Sequence, residues 1–415
     1  MKTSSPFHFQ PFRAFFVARL GSTFAQVMMV VVIGWQAYDL ARLSMPTREA
    51  AFLLGFLGLA QFLPLFLLSP IVGVVADRMD RRVIARIAVA VELLCALSLA
   101  AFSASGSTAL WPLFTVAVLF GVTRAFASPA LSALAPNLVP VAVLPTAIAW
   151  NSIGFQIGAV VGPVTGGLAY DFGPPLPYAL AAALLLLSFI ALMRIPPVRM
   201  APSNGTSGVA AVREGLSYVR HNRIVLGAIS LDLFAVILAG TNAMLPIYVR
   251  DILHVGAAEL GWLRGAPAIG AGCIALWLTR RPLGHRVGQK MFLNVGLFAL
   301  STMAFGLSTN LWLSLASLAV LGAADMVSVY VRQTLIQLHT PDSMRGRVSA
   351  VATLFVSASN ELGEFRAGLT AALVGPVLAT VGGGFLALGI TILWARLFPE
   401  LRDADTLDVP ESLRS

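Results

Sequence analysis

The feature that most constrains this chain is a succession of long apolar segments, each of about 20 residues or more, separated by short polar stretches. Hydrocarbon offers no partner to a backbone N–H or C=O. An apolar run of that length is therefore read as a membrane-spanning α-helix, which pairs its backbone within itself. Such runs lie at residues 14–39, 51–76, 83–104, 109–130, 144–170 and 177–194, and again at 223–249, 257–279, 289–307, 311–338, 346–372 and 375–397. The expected fold class is an all-α membrane protein with twelve transmembrane helices. Composition decides one point: only 11% of the residues are charged, against roughly a quarter in a soluble protein. That is too few to build a water-facing surface, so the surface faces lipid. The first run carries Arg19 early and continues past the length of a signal peptide, so it reads as a span.

The longest polar stretch runs from Ile195 to Asn222 and divides the runs six and six. Its second part sets Val212, Leu216 and Val219 against Arg213, Glu214, Arg220 and His221, the pattern of a short amphipathic helix at the membrane interface. The expected organisation is a six-helix bundle over 1–194, a cytoplasmic linker over 195–222, a second six-helix bundle over 223–398 and a cytoplasmic tail over 399–415. A shift of 201 residues places Gly121 on Gly322, Pro140 on Pro341, Gly162 on Gly363 and Gly167 on Gly368. The halves therefore read as a duplication, and repeated halves with a site between them are how transporters achieve alternating access.

The basic residues give the orientation. About 20 of the 28 Lys and Arg fall in segments on the side of the amino terminus, and about four on the other. Both termini are expected in the cytoplasm. The net charge of +9 is spread over short loops rather than gathered into a patch with aromatics, which argues against a nucleic-acid partner. The five histidines are scattered without ligand spacing, so neither a metal nor another cofactor is expected.

Two motifs are specific. After the second run comes Gly73, then Asp77-Arg78, Asp80 and Arg81-Arg82. Gly73 lets a neighbouring helix approach, and Asp77 suits the positive end of a partner helix, such as the one beginning near Arg345 and Arg347. The fifth run carries Gly158, Gly162, Pro163, Gly166 and Gly167, a smooth helix face that a second backbone can pack against, bent at the proline. The alternative readings are an ordinary positive-inside loop and generic small-residue packing.

With these motifs in place, the chain resembles the major facilitator superfamily, and over nearly all twelve helices its bacterial macrolide-efflux and enterobactin-exporter branch. The resemblance implies two pseudo-symmetric six-helix halves, a cytoplasmic latch formed by Gly73, Asp77, Arg78, Arg81 and Arg82, and a glycine motif associated with antiporters. It also implies a monomer in the bacterial inner membrane. The family's second latch glycine is replaced by Asp80, and its fourth-span arginine followed by Gln-Gly is absent, so no role is carried over to Arg124.

An ionisable residue at span depth costs roughly 2.5–3.5 kcal/mol on insertion scales, so each needs a partner, water or a purpose. In the facilitator fold the first, fourth, seventh and tenth spans line the cavity. Arg124, Asp325 and Arg332 fall there as cavity charges, and the 201-residue shift maps Arg124 onto Asp325. The eleventh run holds Glu361 and Glu364, three apart and on one helix face. With Asp232 they are the expected proton-coupling groups, because two close carboxylates resist joint ionisation. The alternative is a structural pair neutralised by Arg366. Gln36, Asn242, Tyr330, Gln333 and Asn360 are candidate substrate contacts. The expected function is secondary export of small amphipathic molecules, drugs or metabolites, driven by the proton gradient. No nucleotide-binding loop and no catalytic constellation is visible. A siderophore exporter, a nutrient importer, a lipid flippase and a receptor are the other readings.

Overall fold

A computed structural model of the chain describes residues 5–134, 138–140, 143–197, 208–281 and 283–406. Among these residues all regular structure is helical. The elements are α1 (Gln10–Ala41), α2 (Thr47–Arg78), α3 (Arg81–Ala104), α4 (Trp111–Leu134), α5 (Leu144–Phe172), α6 (Pro175–Met193), α7 (Gly208–His221) and α8 (Arg223–Ala239). They continue with α9 (Leu245–Ile247), α10 (Ala257–Arg280), α11 (Val287–Leu307), α12 (Leu311–Leu338), α13 (Asp342–Val374), α14 (Pro376–Leu397) and α15 (Pro399–Arg402). Among the described residues ten helices are long and apolar enough to cross a membrane, with Arg223–Ile252 counted as one span. The more polar α10 and α13, with 24 and 33 residues, complete the twelve.

Short polar side chains set several of the boundaries. Asp80 opens α3 by accepting from the Arg82 N–H, Asn222 opens α8 by accepting from Val225, and Asn310 opens α12 by accepting from Trp312 and Leu313. Gly375, at φ 89°, makes the turn between α13 and α14, where a side chain would be strained.

Two compact units can be distinguished. One comprises Met1–Met45, Ala60–Gly205 and Val255–Gly265, the other Pro46–Leu59, Thr206–His254 and Ala266–Ser415. In the first, α1 packs on α5 and α6, and α3 on α4 and α6. In the second, α8 packs on α13 and α14, and α11 on α12 and α14. Counting spans and omitting the linker helix, the second set repeats the first with every helix advanced by six. The duplication read from the glycine and proline register thus extends to the order of helix packing.

Two segments differ from the sequence-based expectation. The seventh run was expected as one helix over 223–249, but α8 stops at Ala239. Gly240 is extended, a single 3₁₀ turn covers Asn242–Met244, and the chain resumes through α9 into a π turn over Tyr248–Ile252. Pro246, which has no N–H to give, sits at the restart. The amphipathic helix α7 lays Leu216 and Val219 against Ile336, Val348 and Val351 of its own unit rather than against lipid. Gly215 makes room, since a Cβ there would come within 2.6 Å of the Arg347 carbonyl oxygen, and Glu214 pairs with Arg347.

Candidate transport site

In the second unit α8 brings Asp232 against Arg332 of α12, and the two form an ion pair with relative exposures of only 8% and 5%. Sequence reading placed these residues in separate groups, one as a proton-coupling candidate and one as a cavity charge, and the packing of α8 on α12 joins them. A buried carboxylate and guanidinium each carry a desolvation cost of several kcal/mol, which their mutual attraction offsets only in close contact. Asp325 lies seven residues before Arg332, two turns along the same face of α12 and about 10.5 Å away along the axis. It is half-buried and has no hydrogen bond or ion pair within its unit.

Glu361, Glu364 and Arg366 are all half-buried on α13. Glu364 sits beside Gly58 of α2, whose Cβ would lie 3.6 Å from the carboxylate Oε2. Arg366, which the structural alternative sets against the acid pair, has a backbone contact in another helix. Its Nη2 donates to the Leu238 carbonyl at 2.7 Å. The cause is the break in α8. The last carbonyls of a helix that stops inside a membrane need a donor, and a cation at a helix carboxyl end also complements the dipole. Gly363 of α13 and Gly383 of α14 give this helix end its room. A Cβ at those positions would come within 2.9 Å of the Val236 oxygen and 2.2 Å of the Leu238 oxygen.

The substrate-contact candidates divide by environment. Asn242, in the turn after the break, is exposed, as are Gln333 and Asn360, while Tyr330 is half-buried. Asn360 donates to the Val356 carbonyl at 2.9 Å. Gln36, in the first unit, is buried and engaged at both ends of its amide. It donates to Ser103 at 2.9 Å, and the Tyr178 hydroxyl donates to it at 2.7 Å. It ties α1 to α3 and α6.

The glycine face of α5 lies in the first unit. Gly158, Gly162 and Gly166 pack on Thr23, Phe24, Met28 and Val32 of α1. On another side of α5, a Cβ at Gly167 would come within 2.1 Å of the Ala257 carbonyl at the start of α10, and one at Gly261 of α10 within 2.6 Å of the Pro163 carbonyl oxygen. The motif thus serves two neighbours of α5. Arg124 on α4 is half-buried, and its charge acts on Glu92 of α3. Glu92 lies within α3. The residue is fully buried, and Gln26 donates its amide to both carboxylate oxygens at 2.8 and 3.0 Å.

Of the latch, the side chains of Gly73, Asp77 and Arg78 lie outside the described residues. Arg81 is half-buried. Asp80, which stands where the family has glycine, takes a hydrogen bond from Arg82 Nε at 3.0 Å. The Arg82 guanidinium holds the Asp80 carboxyl below the usual carboxylate range. Arg82 and Arg86 also donate to the Ile195 and Leu192 carbonyls at 3.1 and 2.9 Å, fixing the end of α6.

Ionised and polar groups are thus held at span depth among helices that present backbone to backbone. Such a site offers charged and polar groups to a polar or charged solute. The family model described as transmembrane secretion effector matches residues 1–413. The enterobactin exporter EntS of Shigella boydii serotype 18 is 25% identical over 392 residues, covering 94% of this chain and 92% of that protein. EntS of Escherichia coli O1:K1 is 26% identical over 395 residues, with the same coverage. Among solved structures, a POT family transporter in complex with 5-aminolevulinic acid has a TM-score of 0.75 at 14% identity, covering 95% of this chain and 97% of that one. A D-xylose-proton symporter has a TM-score of 0.70 at 15% identity, covering 93% and 98%. These structural likenesses concern the fold.

Proposed function

The chain belongs to the transmembrane secretion effector family of the major facilitator superfamily, and from that premise we propose that it exports small amphipathic molecules in exchange for protons. It is a multi-pass membrane transporter and not an enzyme. The observation that carries the proposal is the set of acids held at span depth in the second unit: Asp232, Asp325, Glu361 and Glu364. A charge there costs several kcal/mol unless it is paired, hydrated or neutralised by a proton. Export is the direction favoured by similarity to enterobactin exporters along nearly the whole chain, and a catecholate siderophore is the first substrate to try. In this reading Asn242, Tyr330, Gln333 and Asn360 meet the substrate. Glu361 and Glu364 carry coupling protons, and the Gly73–Arg82 loop latches the cytoplasmic side. The protein works as a monomer in the bacterial inner membrane with both termini in the cytoplasm.

The test is proton flux in everted membrane vesicles, read with a pH-sensitive dye, as enterobactin, a macrolide or a lipophilic cation is added. The proposal expects proton release triggered by at least one of these and lost in the Glu361→Gln/Glu364→Gln double variant. No dye response to any of them, with uptake of a labelled nutrient into intact cells, overturns export.

A further inference from the structure

We propose that Asp325 is a further proton-binding group of the second unit, besides Glu361 and Glu364, working beside an Asp232–Arg332 pair that stays ionic. The inference rests on the proton-coupled reading above and adds Asp325 to the groups that carry protons in it.

The argument is one of charge. One face of α12 presents two ionic features two turns apart, Arg332 and Asp325. Arg332 is matched by Asp232 in a buried pair, so this guanidinium is committed. Asp325 lies near the middle of α12 and half-buried, with no hydrogen bond or ion pair within its unit. The three groups carry two potential negative charges and one positive, and in hydrocarbon the remaining charge needs a cation. The elements packed on α12 supply none at that depth. In α11 the charged residue is Lys290, in its first turn at one end of the membrane. The charged residues of α8 are Arg223, at its start and bound to Glu400, and Asp232 itself. In α13, Asp342, Arg345 and Arg347 lie in the first two turns, with Arg347 on Glu214; Arg366 caps α8, and Glu361 and Glu364 are acids. Against α10 the helix is in backbone contact. A Cβ at Gly322 would meet the Pro267 carbonyl oxygen at 2.0 Å and one at Gly270 would meet the Ala319 oxygen at 1.8 Å; of the charged residues of α10, Glu259 and Arg264 lie in its first third and Arg280 at its far end. A proton is the cation small enough for such a place.

The step balances simply. A hydronium ion gives its proton to the Asp325 carboxylate, forming an O–H bond and leaving water. On the other side of the membrane the carboxylic acid returns that proton to water, forming hydronium.

The experiment is an infrared titration of the purified full-length protein in phosphatidylethanolamine–phosphatidylglycerol vesicles, following the C=O stretch of protonated carboxylic acids as pH is raised. One component of that band is expected to disappear in Asp325→Asn, to shift in Asp325→Glu and to persist in Glu361→Gln/Glu364→Gln. A band unchanged in both Asp325 variants overturns the assignment. If the component is lost in Asp325→Asn while wild-type vesicles show no substrate-driven proton release, the site stands and the coupled-export reading fails.

Discussion

Removing the carboxylate at Asp232 leaves Arg332 as an uncompensated buried cation. Breaking a buried pair from one side costs about 3–5 kcal/mol, whereas replacing both partners by apolar residues of similar volume is close to neutral. Asp232→Asn is therefore expected to lower the thermal midpoint of the detergent-solubilised protein well below that of an Asp232→Leu/Arg332→Met double variant. A single variant as stable as the double would contradict the pairing. Both residues were legible in the sequence as ionisable groups at span depth. Their partnership was not, because it depends on which faces of α8 and α12 meet. The same holds for Arg366. The sequence offers it as a counter-charge to the Glu361–Glu364 pair, and its Nη2 donates to the end of α8. The Gln26 amide that encloses Glu92 comes from 66 residues away, a partnership that no local pattern encodes.

At the scale of elements, the break in α8 shows what hydropathy does not register. Apolar side chains continue from 223 to 249, and only Gly240 and Pro246 hint that the backbone does not. The glycine face of α5 was fully legible, since four-residue spacing fixes a face whatever lies opposite. Its second neighbour, α10, was not. The closeness of that contact gives a direct expectation: Gly167→Val forces a side chain onto the Ala257 carbonyl, and overpacking of this kind costs about 1–3 kcal/mol. Transport should fall with stability in Gly167→Val, whereas Gly34→Val, where a Cβ meets nothing within 4 Å, should leave both unchanged. Thermal unfolding and vesicle transport of the two variants check this.

The linker helix α7 carries a pH dependence. It is held by the Tyr218 hydroxyl, which donates to the His339 carbonyl, and by Asn222, which donates to the same oxygen at 3.3 Å. Burial pushes the His339 imidazole down from its ordinary value, more than its bond to the Leu335 carbonyl pushes it up. A base lowered in the folded state contributes stability that is fully present above its unfolded pKa, about 6.5, and lost as the pH falls through that value toward the lower folded one. Hydrogen-exchange protection in residues 208–221, measured relative to the intrinsic chemical rate, should therefore fall below pH about 6.5, and this loss should be absent in His339→Gln. Exchange with no pH sensitivity beyond the intrinsic chemical rate would show that His339 does not control the docking of α7.

At the scale of the whole molecule, the twelve helices and their six-by-six repeat followed from run length and from one 201-residue register of glycine and proline. The repeated packing order of α1, α3, α4, α5 and α6 in α8, α11, α12, α13 and α14 is the structural form of that register. Substrate and energy source are not encoded in this way. They depend on a few polar groups, and the proton account rests on acids placed at span depth, where ionisation is costly. The most direct test is transport by the purified protein in vesicles with an imposed pH gradient, acid inside, and no membrane potential, using labelled enterobactin and a lipophilic cation. The account predicts accumulation of substrate in the lumen above its outside concentration, abolished when an ionophore collapses the gradient. Accumulation that ignores the gradient, or movement only down the substrate's own gradient, would contradict proton-driven export.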